Sequence, residues 1–289
     1  MPRNSWSPDA SCGVAQTVNV LGDGWSLLIL RDIARGHQRF DDLVTELRIS
    51  RKVLTERLTG LIADGVLRRE PYQTAPVRYA YELTAAGRDL LGVVVALQDW
   101  GDRWLLGDGS LTATDDEDSA TAQRVRDLVG VVAPVVRLPG TDGIETDALA
   151  GPAVVFTYPA TGTPTPLPSG WGEIPGAVGC TLENRLFRTA YPRLETAGIA
   201  VRGVSTQRPD EQLVFATAES LPFTLLSDVD LRLTAALRLP VFRAGERHRL
   251  KRLILVIAAD RTIRAVRYPA GDIAAAVDWA VETALTLGR

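Results

Sequence analysis

The sequence predicts two domains, a mainly α module followed by an α/β domain, and three observations lead there. Up to residue 108 apolar residues recur at helical spacing, with one pair of strand-like runs among them. Beyond residue 126 short apolar strand-type runs alternate with helical stretches, the pattern of an α/β layer structure. Between them, residues 109–126 are rich in Gly, Ser, Thr and acids, including an acidic run at 115–118, and read as a linker. The expected division is therefore 1–108, a linker at 109–126, and 127–289.

Composition excludes several classes of protein. A content of 46% hydrophobic and 23% charged residues is that of a globular chain. The formal charge is only −3, so a surface for nucleic acid must be local. The longest apolar stretches, LLGVVVAL at 90–97 and LILVIAA at 253–259, fall short of the ~20 residues a membrane span needs. No apolar leader opens the sequence, and a cytoplasmic protein without a membrane partner is expected. Cys12, Cys180, His37 and His248 are too few for a disulfide framework or a metal cluster, so neither a metal nor another cofactor is expected.

The elements of the first half follow in order. SLLILRDIAR at 26–35 is an apolar helix closed by Gly36, and a shorter helix covers 40–47. Ser50 is a good N-cap for RKVLTERLTGLIADG, in which Leu54, Leu58, Leu61 and Ile62 form one buried stripe. Arg51, Lys52, Thr55 and Thr59 fall opposite it. VLRRE at 66–70 and VRYAYEL at 77–83 make a β-hairpin carrying Arg68, Arg69 and Arg78, and Thr84 opens a further helix. Helix, turn, capped helix and hairpin make a winged helix-turn-helix. Between residues 31 and 88 eleven basic side chains face eight acidic ones, an excess concentrated on the second helix and the wing. Candidate contacts to double-stranded DNA are Ser50, Arg51, Lys52, Thr55 and Arg57 on the helix, with Arg69 and Arg78 on the wing.

Residues 11–104 resemble the HxlR-type winged-helix regulators, relatives of the MarR group. The likeness is carried by SCGVAQTVNVLGDGWSLLILRDI, by RFDDLVTELRISRKVLTERLTGLIADGVLRR, and by YELTAAGRDLL with Trp100 downstream. It implies a homodimer, joined through the N-terminal helix and the Trp100 helix, on a pseudo-palindromic operator. Cys12 matches a cysteine that is a redox switch in some members; its other reading is a small apolar packing residue.

In the second half strands are expected at 153–158, 200–205, 223–226, 253–257 and 263–268, with helices at 181–197, 209–220, 230–237 and 272–286. Pro192 predicts a kink or break in the first of these helices. Cys180 follows Gly179 at that helix's start, where unpaired backbone N–H groups favour a thiolate able to attack peroxide. Arg252, at the entry of the 253–257 strand, is the candidate for lowering its pKa.

The stretch from about 130 to 286 resembles peroxiredoxins of the AhpC/TSA type, which implies a thioredoxin-like fold. Within that resemblance Cys180 matches the peroxidatic cysteine, Pro159 and Thr161 match the residues shaping its pocket, and Arg252 matches the active-site arginine. Two departures stand out. The positions seven and three before the cysteine hold Glu173 and Ala177, because an insertion at 162–179 separates Pro159 and Thr161 from Cys180. Where relatives place a resolving cysteine, five residues on, this chain has Arg185.

Three functions fit these motifs. One is a DNA-binding regulator responding to peroxide through Cys180, with or without a disulfide to Cys12. Another keeps the regulator and makes the C-terminal domain a ligand-binding or dimerisation module without redox chemistry. The third is a one-cysteine thiol peroxidase needing a thiol reductant.

Overall fold

The computed structural model describes residues 10–287. The chain forms two compact units, the first reaching Val94 and the second starting at Val95.

The first unit runs α1 (Gly13–Leu21), α2 (Gly24–Ala34), α3 (Phe40–Leu47), α4 (Arg51–Ala63), the hairpin β1 (Leu67–Thr74) and β2 (Val77–Leu83), then α5 (Ala85–Asp89) and the start of α6 (Leu91–Trp104). Asp23 caps α2 by accepting from the Ser26 amide, and Ser50 caps α4 by accepting from the Val53 amide. Between α3 and α4 the chain turns at Arg48, which adopts the left-handed conformation at φ 49°. Three of the four α4 stripe residues are buried as their spacing predicts: Leu54, Leu58 and Leu61 join Ile29, Leu30, Ile33 and Leu43 in one core, while Ile62 is half-buried against it. Beside that core lies Asp32, fully buried and bonded by Arg31 at 2.9 Å and Arg35 at 2.9 Å.

The second unit holds the rest of α6, then α7 (Ala120–Arg126), β3 (Arg137–Pro139), β4 (Glu145–Asp147), β5 (Ala153–Thr157), a 3-10 turn (Trp171–Glu173), α8 (Cys180–Thr196), β6 (Ala200–Ser205) and α9 (Pro209–Ala218). β7 (Leu225–Ser227), α10 (Arg232–Leu237), β8 (Val241–Ala244), β9 (Arg247–Leu250), β10 (Leu253–Ile257), β11 (Ile263–Arg267) and α11 (Ile273–Leu287) complete it. The main sheet has the order β11-β10-β5-β6-β7. β5, β6 and β7 are parallel, whereas β10 is antiparallel to both β5 and β11. Every residue of β5 and β10 is buried, as expected of strands covered on both faces. Val154, Phe156, Ile254 and Val256 face the inner sides of α8 and α11, and Phe156 stacks on Phe187 with ring centroids 4.3 Å apart.

Two expectations change. Residues 109–126 are a folded segment rather than an exposed linker: Ala113 is buried, and α7 carries Thr121, Ala122 and Val125 into the interior. Its polar composition hid a short apolar face. Nor does Pro192 break α8, which continues to Thr196. The missing amide costs the one helix bond to the Arg188 carbonyl, and Leu194 in the turn beyond it is fully buried in the core, which keeps the helix running.

Candidate functional site

On the first unit, Arg51, Lys52 and Thr55 stand exposed on α4, and Ser50 is spent as its cap. Arg51 pairs with Asp41 at 2.6 Å, with side chains 69% and 62% exposed. Such a pair is worth under about 1 kcal/mol, so a phosphate competes for Arg51 easily. Arg57 lies elsewhere, roughly 120° round the helix from Arg51. Its half-buried guanidinium stands 3.3 Å from the Asp23 carboxylate, so it does not share the Arg51 surface. On the wing, Arg69 lies over the Tyr79 ring at 4.7 Å and Arg78 is exposed. Cys12 is half-buried at the N-cap of α1, where its carbonyl accepts from the Gln16 amide.

The thiol site is built at the β5 and α8 ends of the second unit. Gly179 turns the chain into α8 with φ 110°, and a Cβ there would lie 2.2 Å from the Ile273 side chain, so glycine alone fits. Cys180 is thereby the first residue of α8 and is only 4% exposed. Its thiol donates to the Ala177 carbonyl at 3.7 Å, while the Ala160 backbone amide donates to the sulfur. Arg252 places Nη2 3.7 Å from the sulfur and 3.2 Å from the Val178 carbonyl, and Nη1 closes on the buried Glu183 carboxylate.

Pro159 and Thr161 flank Ala160, so the chain on both sides of the insertion meets at the sulfur despite the residues between. The Thr161 hydroxyl turns to other partners. It donates to the Thr163 carbonyl at 3.1 Å and accepts from Gln207 at 3.2 Å, while the Thr161 amide donates to Gln207 at 2.9 Å. The insertion is held in turn by Trp171, which packs against Phe242, and by Thr165, which donates to Glu211.

The electrostatics are set first by burial. Burial pushes the Cys180 thiol above its ordinary range, and the Arg252 guanidinium and Ala160 amide offset only part of this. Burial also raises Glu183 to about 7, against the pull of Arg252. The resting site is thus a protonated thiol beside a guanidinium that a carboxyl group shares. Arg185, at the resolving position, is exposed and bonded to Glu219 at 2.6 Å. Glu183 and Gln207 are additions that the sequence reading missed. Glu183 lies one helical turn beyond Cys180, a spacing that could have drawn attention to it; Gln207 reaches Thr161 from 46 residues away.

Comparison with known proteins agrees with both halves. Residues 20–108 match the HxlR-like helix-turn-helix family, and residues 174–266 match the AhpC/TSA family. An uncharacterized HTH-type transcriptional regulator of Mycobacterium tuberculosis is 42% identical over 92 residues, covering 32% of this chain and 58% of the relative. Another, from Synechocystis, is 37% identical over 95 residues, covering 32% of this chain and 70% of the relative. Peroxidoxin BcpB from Mycobacterium tuberculosis aligns over 55% of this chain and 97% of its own, with 25% identity and a TM-score of 0.46. The two units therefore define a helix-turn-helix protein carrying an AhpC/TSA domain. Through its N-terminal third the chain belongs to the HxlR-like helix-turn-helix family. Among the described residues no helix is long and apolar enough to cross a membrane.

Proposed function

We propose that this protein is a dimeric transcription regulator whose hold on DNA is set by peroxide acting on Cys180. The observation that carries the reading is the Arg252 guanidinium 3.7 Å from a sulfur at the first turn of α8, in a chain whose other unit is a winged helix. In the reaction Cys180 gives up its proton and the thiolate attacks one peroxide oxygen. The O–O bond breaks, an S–O bond forms, and the leaving oxygen takes the proton away as water or an alcohol. Sulfur is oxidised by two electrons and the peroxide is reduced.

DNA binding is assigned to the exposed face of α4 and to the wing, with Arg51, Lys52, Arg69 and Arg78 on phosphates and Thr55 at base edges. Dimerisation is assigned to α1 and α6. Val93, Leu97, Trp100 and Trp104 recur at i, i+4, i+7 and i+11 on α6 and are all exposed, as are Val14 and Val18 on α1. A two-fold dimer calls for a pseudo-palindromic operator.

A second reading, a C-terminal domain without redox chemistry, is favoured by the burial of Cys180 and by Arg185 in the resolving position. One experiment separates the readings. Binding of the reduced protein to the intergenic fragment beside its own gene is measured with and without one equivalent of hydrogen peroxide, for wild type and Cys180→Ser. A change in affinity that needs Cys180 supports the sensor. Binding indifferent to peroxide retires it in favour of the second reading. Sustained peroxide consumption with a thiol reductant, without any change in binding, assigns a peroxidase instead. A Cys12→Ser variant that keeps the full response removes any role for a Cys12–Cys180 disulfide.

A further inference from the structure

The segment that leaves α6 is packed against the loop that closes over the reactive sulfur. In the second unit Ala113 shares one apolar cluster with Ala160 and Ala177, the two residues whose backbones touch the Cys180 sulfur. The Ala113 amide donates to the Pro175 carbonyl at 2.8 Å. A Cβ on Gly176 would come within 2.9 Å of the Thr114 side chain, so backbone lies on side chain with no spare room. Asp115 accepts from Lys251 Nζ at 2.8 Å and from the Tyr268 hydroxyl, and Lys251 is the residue next to Arg252. The same segment begins where α6 ends, and the last turns of α6 are fixed within this unit too. Gln98 donates to the Leu239 carbonyl at 2.8 Å, and Asp102 takes a two-pronged bond from Arg124 at 2.8 and 2.6 Å.

We propose that residues 105–119 form a strap that loosens when Cys180 is oxidised by peroxide and passes the change to α6. The inference rests on the redox reading above and adds the route by which oxidation is felt. Oxidation replaces the S–H that donates to Ala177 by an S–O–H group one oxygen larger. The sulfur is 4% exposed, Arg252 is tied to Glu183, and α8 is fixed by Gly179. The wall that remains is the 160–177 loop, irregular apart from its one 3-10 turn, and Leu111, Ala113 and Thr114 lie behind it. Displacing that loop breaks the Ala113–Pro175 bond and works the Asp115–Lys251 fastening. α6 receives the change at its C-terminal end, and it is the helix that carries the exposed apolar row Val93, Leu97, Trp100 and Trp104.

The test is hydrogen exchange on the full chain, reduced and after one equivalent of hydrogen peroxide, with the Cys180 oxidation state read by mass. Amides of residues 105–119 should exchange at least tenfold faster once Cys180 carries one oxygen, and Cys180→Ser should show no difference. Unchanged protection with Cys180 oxidised overturns the strap. The link to α6 is tested with Asp102→Asn, and with the milder Gln98→Ala should the first variant fold poorly. Either should leave Cys180 oxidation and strap loosening intact but reduce the peroxide-dependent change in DNA affinity to less than a third of wild type. A full DNA response in a folded variant overturns the α6 link. The strap and the redox reading fail separately. Wild-type DNA affinity that ignores an oxidised Cys180 removes the redox reading, while the exchange data still decide the strap; a Cys180 that peroxide does not oxidise removes both.

Discussion

Arg252 holds one guanidinium nitrogen 3.7 Å from the Cys180 sulfur while its other arm closes on Glu183, so one positive charge serves two acids. Burial leaves the sulfur protonated at neutral pH in spite of that charge. Reactivity of Cys180 toward a neutral alkylating reagent should therefore keep rising, about tenfold per pH unit, up to and beyond the ordinary thiol range. Arg252→Lys retains the charge but cannot fork to both partners, and should slow oxidation by hydrogen peroxide about tenfold or more. Stopped-flow rates across pH would check both statements; a plateau near neutrality would contradict the first.

Glu183 works against the thiolate. It lies one turn along α8, is fully buried, and its carboxylate draws on the same guanidinium. Glu183→Gln keeps the shape and removes the competing charge, so the Cys180 titration should move down and alkylation at pH 7 should rise several-fold. Loss of reactivity in a folded variant would mean that Glu183 serves to hold Arg252 in place.

The same variant bears on stability. Because burial raises Glu183 from 4.5 to about 7, its contribution is fully present below about pH 4.5 and is lost as pH rises through 7. Glu183→Gln should flatten that limb in urea titrations of the full chain between pH 5 and 8. An unchanged slope would show that the group does not titrate there.

How far the sequence foretold this site depended on the range of each interaction. The Ser50 cap, the Leu54, Leu58 and Leu61 stripe, and the strands at 153–157, 200–205 and 253–257 follow from local period and capping, and all are present. The hairpins β3–β4 and β8–β9 escaped because RLP, ETD, VFRA and RHRL are too short or too polar to carry an apolar alternation. Arg57 passed for a member of the basic face because its partner Asp23 belongs to another helix. The approach of Arg252 to Cys180 spans 72 residues; its place at a strand entry made it a candidate, and the likeness to a family paired it with the cysteine. Nothing local in the sequence indicated that the 109–126 stretch would pack against the cysteine loop.

Lys52 and Arg57 make a contrasting pair for the DNA surface. Lys52→Ala removes an exposed charge from the outer face of α4 and should weaken binding to operator and random DNA alike, lowering the salt slope by about one. Arg57→Ala should leave that slope nearly unchanged, because its guanidinium faces Asp23. Fluorescence anisotropy at four or five salt concentrations would separate them. Equal losses of slope would put Arg57 on the phosphates after all.

Asp32 gives the first unit an acid limit. Burial alone would raise its carboxyl, but hydrogen bonds from Arg31 and Arg35 outweigh burial and hold it below the usual value of 3.8. A depressed folded-state pKa stabilises fully above the unfolded value and is lost as pH falls through the folded one. Asp32→Asn should therefore cost about 1–3 kcal/mol at neutral pH, the range for hydrogen bonds to charged groups and for buried groups left without a partner. The difference from wild type should begin to shrink as pH falls below 3.8 and close only as the native carboxyl, held lower, takes up its proton. Urea denaturation of both proteins at pH 7 and pH 3, followed by helical circular dichroism, measures it. A gap of the same size at both values would show that shape and packing, not charge, make Asp32 matter.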